Sequence, residues 1–592
     1  MKQEARILLS GLVLLLSGIF MPSSAQDYTL DDPFAIIKQE ISERHKILSF
    51  ETKRISAKYP SEVVNKIGMN FPGYRGPGQL VIYYPGFNFT TGTNEFGTEA
   101  VVEDGVVVKL SGADSIIPKN GFVISGHGSS KNWIKNNLQI GTNIIIEGNT
   151  IIAYTTPDSF VYRAKEKIKD AENFIDNSRK SDFKDGEDKK AAYYLKKAKN
   201  EVKKAERARN NLKKEYSKAS IEYSNLAIKY ALPYVANEFK GVWIRPVEKN
   251  VYEVRKTLDD IQKTGINEVF LETYFHGYTI YPSRVMKQYG LTIQNPKFLM
   301  YDSLKAYIEE AHKRGMKVHC WFESFYIGNN KPTVDEKSIL AVYPSWGNKN
   351  LANYNSVYVP HKTEHNGYFL DPANPEVVEF LLNLISEIST KYKVDGINLD
   401  YTRYPTSQKS EVLNFEQSNW GYTEIARKEF TELYEIDPVE IQSGSVLWKK
   451  WCEYRQDKLY EYVKKAREVV SSQILLSAVV FPDYNVCIET KQQDWAKWSK
   501  EELVDAITPL IMTSDNELFY KILKEVKNRA SNKTKILTGL FVGFLDAEPE
   551  DLLRQISVSR GLKSEGIVLF DWAHLPAKYR NALQYRVFLP KK

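Results

Sequence analysis

Cysteine is scarce: three residues among 592, Cys320, Cys452 and Cys487, widely spaced. That count excludes a disulfide framework, and the spacing excludes a Cys-based metal site. Cys320 sits in an apolar run and reads as a small core residue. Histidine is also sparse, at eight residues, and His276, His319, His361 and His365 form no metal-ligand pattern. No Gly-rich phosphate loop follows any apolar run, so nucleotide chemistry has no support. One long apolar stretch stands near the start, Ile7 to Phe20, behind Lys2 and Arg6 and ahead of Ser23-Ser24-Ala25. It is short for a bilayer span and reads as an export signal cleaved near Ala25. The expectation is an exported chain, periplasmic or extracellular.

What is present is a soluble-protein composition, 42% hydrophobic and 26% charged, with 37 tyrosines and 10 tryptophans. At 592 residues the chain calls for several cores. The net charge of +7 is unevenly placed: residues 160–235 hold 20 Lys/Arg against 12 Asp/Glu, a surplus of 8, so the remainder sums to −1. In an exported protein this basic segment suits contact with an anionic envelope better than with nucleic acid.

Four regions follow. Residues 1–25 form the signal. Residues 26–158 form a small β-rich domain, with strand-like runs at Gln79–Tyr84, Val106–Leu110, Gly121–Ile124, Asn143–Ile146 and Thr150–Tyr154. Residues 159–236 carry apolar residues at helical spacing (Ala164, Ile168, Ala171, Ile175; then Ala192, Leu195, Ala198, Val202, Ala205) and predict a helical hairpin or short coiled coil turning at Asn177–Asp188. Residues 237–592 alternate strand-like with helix-like stretches. Eight strands are expected: Gly241–Arg245, Asn267–Glu272, Met316–Phe322, Val394–Asp400, Ile474–Phe481, Asp505–Met512, Lys535–Phe541 and Glu565–Trp572. Asp302 or Ser303 and Asn374-Pro375 mark helix starts, and Gly315 a helix end. This pattern predicts an α/β fold, a (β/α)8 TIM barrel.

In such barrels the reactive groups stand where strands meet their following loops. Those ends deliver Arg245; Glu272 with Tyr274; Trp321 and Glu323; Asp400 with Tyr401 and Arg403; Asp483; and Asp571 with Trp572. Five of eight ends carry a carboxylate. Glycosidic cleavage needs two carboxyl groups in different protonation states. Asp400 and Glu323 are the catalytic candidates: Arg403 beside Asp400 would keep it ionised, and the apolar neighbours of Glu323 would hold its proton. Arg245, Glu272, Tyr274, Tyr401, Arg403, Asp483, Asp571 and Trp572 are candidate substrate-binding residues. Glu323 also reads as a structural salt bridge, and Glu272 equally as a core ion-pair partner. Asp395 reads as a cap or pair at the strand start. No cofactor and no metal is implied.

Several phrases carry a resemblance. Gly241-Val-Trp-Ile, Gly277-Tyr-Thr-Ile-Tyr-Pro-Ser283, Ala311-His-Lys-Arg-Gly-Met-Lys-Val318, Trp321-Phe-Glu323, Phe369-Leu-Asp-Pro-Ala-Asn-Pro375 and Val394 to Pro405, with Gln493-Asp-Trp495 and Thr508 to Thr513, resemble the glycosyl-hydrolase-like family 10 of exported bacterial barrel proteins over residues 240–575. The resemblance implies hydrolysis of a polysaccharide, with peptidoglycan glycan strands a substrate of some members. The fourth strand is also similar to the chitinase signature Asp-x-Asp-x-Glu, but its positions here are Asn398, Asp400 and Thr402, without the proton-donating Glu. A shorter piece, Ile117 to Gly128 with Trp133, is similar to the phosphodiester glycosidase domain; His127 within it reads as a turn residue. The alternative is a non-catalytic glycan-binding envelope protein.

Overall fold

The computed structural model describes His45–Ser49, Thr52–Ile55, Ser61–Lys66 and residues 79–590, less short stretches at 85–89, 92, 94–96, 113–114, 148–149, 181–187, 299–300, 334–335, 409–414, 546 and 585–586. The export signal and its cleavage site lie outside the described residues.

The barrel follows from eight short apolar runs that are buried on both faces, as a parallel sheet requires. They are Phe239–Ile244, Glu268–Phe275, Lys317–Glu323, Gly396–Asp400, Leu475–Val480, Ala506–Ile511, Lys535–Leu540 and Gly566–Leu569. Each pairs in parallel with the next, and the first pairs with both the second and the eighth, which closes the cylinder. All eight strands expected from the sequence are present. Outward residues such as Val242, Ile244, Val269, Leu271, Val318 and Cys320 bury against the surrounding helices. Inward residues fill the lumen with Trp243, Phe270, Trp321, Phe541, Val568 and Phe570. Gly396 is required where it stands: a Cβ there would lie 2.1 Å from His319 Nδ1. His319 pairs with Glu268 at 2.8 Å. At the strand-start end Asp395 accepts from Val318 N–H and pairs with His312, both at 2.8 Å, as the sequence suggested.

Helix starts are set by side chains. Asp302 accepts from Lys305 N–H, and Asn374 from Glu376 N–H ahead of Pro375, both at 2.9 Å. The cysteines are free.

The N-terminal part is one nine-stranded antiparallel sheet with a helix, Ser129–Asn137, packed on it through Trp133 and Ile134. The five strand-like runs read from the sequence lie in it, joined by Thr98–Glu103 and the three strands before residue 67. The helical region differs from the expected hairpin. Among the described residues it holds three helices, Pro157–Lys180, Asp188–Arg207 and Asn210–Ala231. The break at Arg209 is an extended residue (φ −93°, ψ 141°) with no Gly or Pro to announce it. Ala171, Phe174, Ile175, Ala227, Ile228 and Ala231 belong to the same core as the barrel's outer layer, so this bundle is seated on the barrel.

Candidate active site

Glu323 ends the third barrel strand and Asp400 ends the fourth, and the two are register partners. On neighbouring parallel strands this puts both side chains at one level, on the inward face shared with Trp321. Asp400 Oδ2 accepts the Trp321 indole N–H at 2.8 Å, and Oδ1 accepts the Tyr401 backbone N–H at 2.7 Å. Tyr401 itself adopts a left-handed conformation (φ 48°), which turns the chain sharply away from the strand end. Burial raises the Asp400 pKa above 3.8, and these two donors, then the charges of Arg403 and Arg245, oppose the rise.

Glu323 is 3% exposed. Its Oε2 accepts the backbone N–H of His276 at 3.0 Å. Burial drives its pKa well above 4.5, the negative charges of Glu272 and Asp400 add to that, and the His276 N–H and Arg245 only partly offset it. The two carboxyls are therefore unequal: Glu323 holds its proton more firmly than the donor-supported Asp400.

Beside them Arg245 is clasped by two acids. Its Nε donates to Glu272 Oε1 at 3.2 Å and its Nη1 to Asp571 Oδ2 at 2.7 Å, and the guanidinium lies 4.8 Å from the Trp321 ring centre. Glu272 is 2% exposed, and its Oε2 has no hydrogen-bond partner among the described residues. Burial lifts Glu272 to about 7 against the pull of Arg245, with Asp571 and Asp400 adding upward pressure. Asp571 is pushed up by burial, but its bond to His574 Nδ1 at 2.7 Å and the charge of Arg245 outweigh this and leave it below 3.8.

The fold thus gathers Arg245, Glu272, Glu323, Asp400, Tyr401 and Asp571 at one end of the barrel. Other sequence candidates are placed differently. Arg403 does not bond Asp400. Its Nη1 and Nη2 hold Glu364 at 3.2 and 2.6 Å, its Nη1 also donates to the Tyr404 carbonyl, and it is 4% exposed. It anchors the loop after the fourth strand instead of offering a free cation. Tyr274 is fully buried and stacked on Phe322 at 4.8 Å. A bulge between Glu272 and Tyr274 shifts the register and turns Tyr274 out of the lumen. Asp483 is an exposed N-cap that accepts from Val486 N–H at 3.1 Å. Trp572 is partly buried under Arg580, 4.2 Å from its ring centre.

Four contributors had no role assigned from the sequence. Glu364 comes from the insertion between the third strand and its helix, and no spacing signals it. Tyr326 stacks on Tyr401 at 4.6 Å. The His276 backbone N–H reaches Glu323. Trp321 donates to Asp400, and its parity with Glu323 on the strand was the available clue.

Two outcomes test this wiring. Arg403→Ala leaves the buried Glu364 carboxylate unpaired and should cost about 3–5 kcal/mol in urea unfolding. Arg403 and His361 hold the folded Glu364 pKa below its ordinary value despite burial. The stabilisation is therefore present at neutral pH and is lost as pH falls below the ordinary carboxylate range, so the wild-type/variant gap should narrow in acid. Trp321→Phe removes a donor to ionised Asp400, which raises that pKa. The acid limb of any kcat/KM profile governed by Asp400 should then move to higher pH.

The family model described as Glycosyl hydrolase-like 10 matches residues 238–548, more than half of the chain. Glycosyl hydrolase DigH of Escherichia coli (strain K12) is 35% identical over 183 residues, covering 28% of this chain and 39% of that protein. The matched stretch thus spans about two fifths of that relative's length. Glycosyl hydrolase YngK of Bacillus subtilis (strain 168) is 23% identical over 392 residues, 56% of this chain and 68% of that protein. Among solved structures, the PgaB (BpsB) glycoside hydrolase domain from Bordetella bronchiseptica aligns over 60% of this chain and 100% of its own at 10% identity, with a TM-score of 0.42.

Proposed function

The chain belongs to the glycosyl hydrolase-like 10 family, and from that membership we propose that its barrel hydrolyses O-glycosidic bonds of a polysaccharide by a two-carboxylate mechanism. The observation that carries the reading is the register pairing of Glu323 and Asp400 at the strand ends, with unequal hold on their protons. In this reading Glu323 protonates the departing glycosidic oxygen. Asp400, kept available as the anion by the Trp321 and Tyr401 N–H groups, attacks the anomeric carbon or takes a proton from water. Arg245, pinned by Glu272 and Asp571, supplies a fixed positive charge beside the reacting centre. Glu272, which burial lifts to about 7, presents an Oε2 unpartnered among the described residues that suits a sugar hydroxyl as donor or acceptor.

Peptidoglycan glycan is the substrate we favour, and with it we propose export of the chain to the cell envelope after cleavage near Ala25. The basic helical region is proposed as the envelope contact. The test is direct. Purified protein is incubated with denuded peptidoglycan glycan strands and with common neutral polysaccharides, and released reducing ends are counted. Release from none of them, with an intact fold, overturns the proposal.

A further inference from the structure

The surplus of 8 positive charges in residues 160–235 exceeds the net charge of the whole chain. The structure concentrates part of it in a groove lined by Lys197, Asn200, Lys203, Lys204, Arg207 and Tyr223, between the helices Asp188–Arg207 and Asn210–Ala231. Glu201 also lines it and is bonded to Lys204 at 2.7 Å. Lys203 and Arg207 are exposed and make no ion pair among the described residues. Tyrosine rings flank these cations. Lys197 Nζ lies 4.9 Å from the Tyr193 ring centre and 5.1 Å from that of Tyr223, and Lys204 Nζ lies 5.7 Å from Tyr216. Tyr193 is 51% exposed.

The spacing is informative. Lys197, Lys203 or Lys204, and Arg207 lie on one face of their helix, two turns and then one turn apart with the neutral Asn200 between the first two, at a rise of about 5.4 Å per turn. That is the scale of one pyranose unit. Cations set along the groove beside aromatic faces match a linear glycan bearing acid groups along its length: the charges meet acid groups and the rings meet apolar sugar faces. A planar membrane fits less well, because the surface is concave and its exposed large apolar side chains are few, Tyr193 and Leu212. The groove is not loosely attached. The third helix joins the barrel core through Ala227, Ile228 and Ala231, and Asp170 of the first helix bonds Arg554 of the barrel.

We infer that the groove between the second and third helices is a binding site for an anionic polysaccharide strand, separate from the barrel mouth. It holds charged glycan against the chain whatever the barrel's chemistry, so the two proposals fail independently.

The experiment titrates the full chain with polygalacturonate, one carboxylate per pyranose unit, and with a neutral dextran, at low salt and at about 0.15 M, where charge is screened over about 8 Å. The comparison protein carries Lys197→Gln, Lys203→Gln and Arg207→Gln together, all on exposed or half-exposed positions, with its fold checked by circular dichroism and thermal unfolding. Expected is salt-sensitive binding of polygalacturonate only, weakened at least tenfold in the variant. Phosphatidylglycerol vesicles and a single-stranded oligonucleotide are titrated in parallel. No polygalacturonate binding, binding that the variant retains, or tighter binding of vesicle or oligonucleotide than of the polysaccharide overturns the inference.

Discussion

Asp400→Asn should reduce kcat on a cleavable glycan by about 10³-fold or more while leaving the polymer's dissociation constant within about twofold. The substitution keeps the side chain's size, and Asn Oδ1 can still accept one of the two N–H groups now serving the carboxylate. What it removes is negative charge at the point where positive charge develops on the anomeric carbon. The loss should therefore fall on kcat and not on KM. A non-catalytic binding protein would behave differently, since it has no turnover to lose. Turnover that survives Asp400→Asn at near wild-type rate would remove Asp400 from the mechanism and leave the register pair without a function. The Arg245 clasp does not depend on Asp400, because it is bonded to Glu272 and Asp571. Unfolding midpoints of the variant and the parent should accordingly agree.

How far the sequence reveals this site depends on the range of each interaction. The barrel was legible because every strand is a continuous apolar run and strand ends can be found from residues a few positions apart. The pairing of Glu323 with Asp400 followed from the same local periodicity. The partner of Arg403 did not. Glu364 lies 39 residues away in an insertion, and nothing in Lys362-Thr-Glu-His-Asn366 marks it. Tyr274 was misplaced because a bulge, invisible in composition, reverses which face it shows. Some shared phrases prove to be scaffold. Ser283 Oγ and the Arg284 N–H bond Glu387, at 2.5 and 2.6 Å, and tie a loop to the helix Pro375–Lys391. Gln493 donates to the Thr402 carbonyl and accepts from Phe481 N–H, stapling the loops after the fourth and fifth strands. Sequence similarity therefore records support for the site as well as its chemistry.

Glu323→Gln offers the sharper test, because it separates the two carboxyls by pH. In the proposed mechanism ionised Asp400 and protonated Glu323 together should give a bell-shaped kcat/KM profile. On the acid side activity rises as Asp400 loses its proton, above its ordinary 3.8 because burial raises it. On the alkaline side activity falls as Glu323 loses its own, at a pH well above 4.5. Gln cannot donate a proton, so the alkaline limb should vanish and the residual rate, lowered about 10²–10⁴-fold, should plateau above the acid limb. The substitution leaves the Trp321 and Tyr401 bonds to Asp400 in place. A substrate whose leaving group needs no protonation, such as an activated aryl glycoside, should recover most of the lost rate. An unchanged alkaline limb in the variant would move the acid role to Glu272, which burial lifts to about 7.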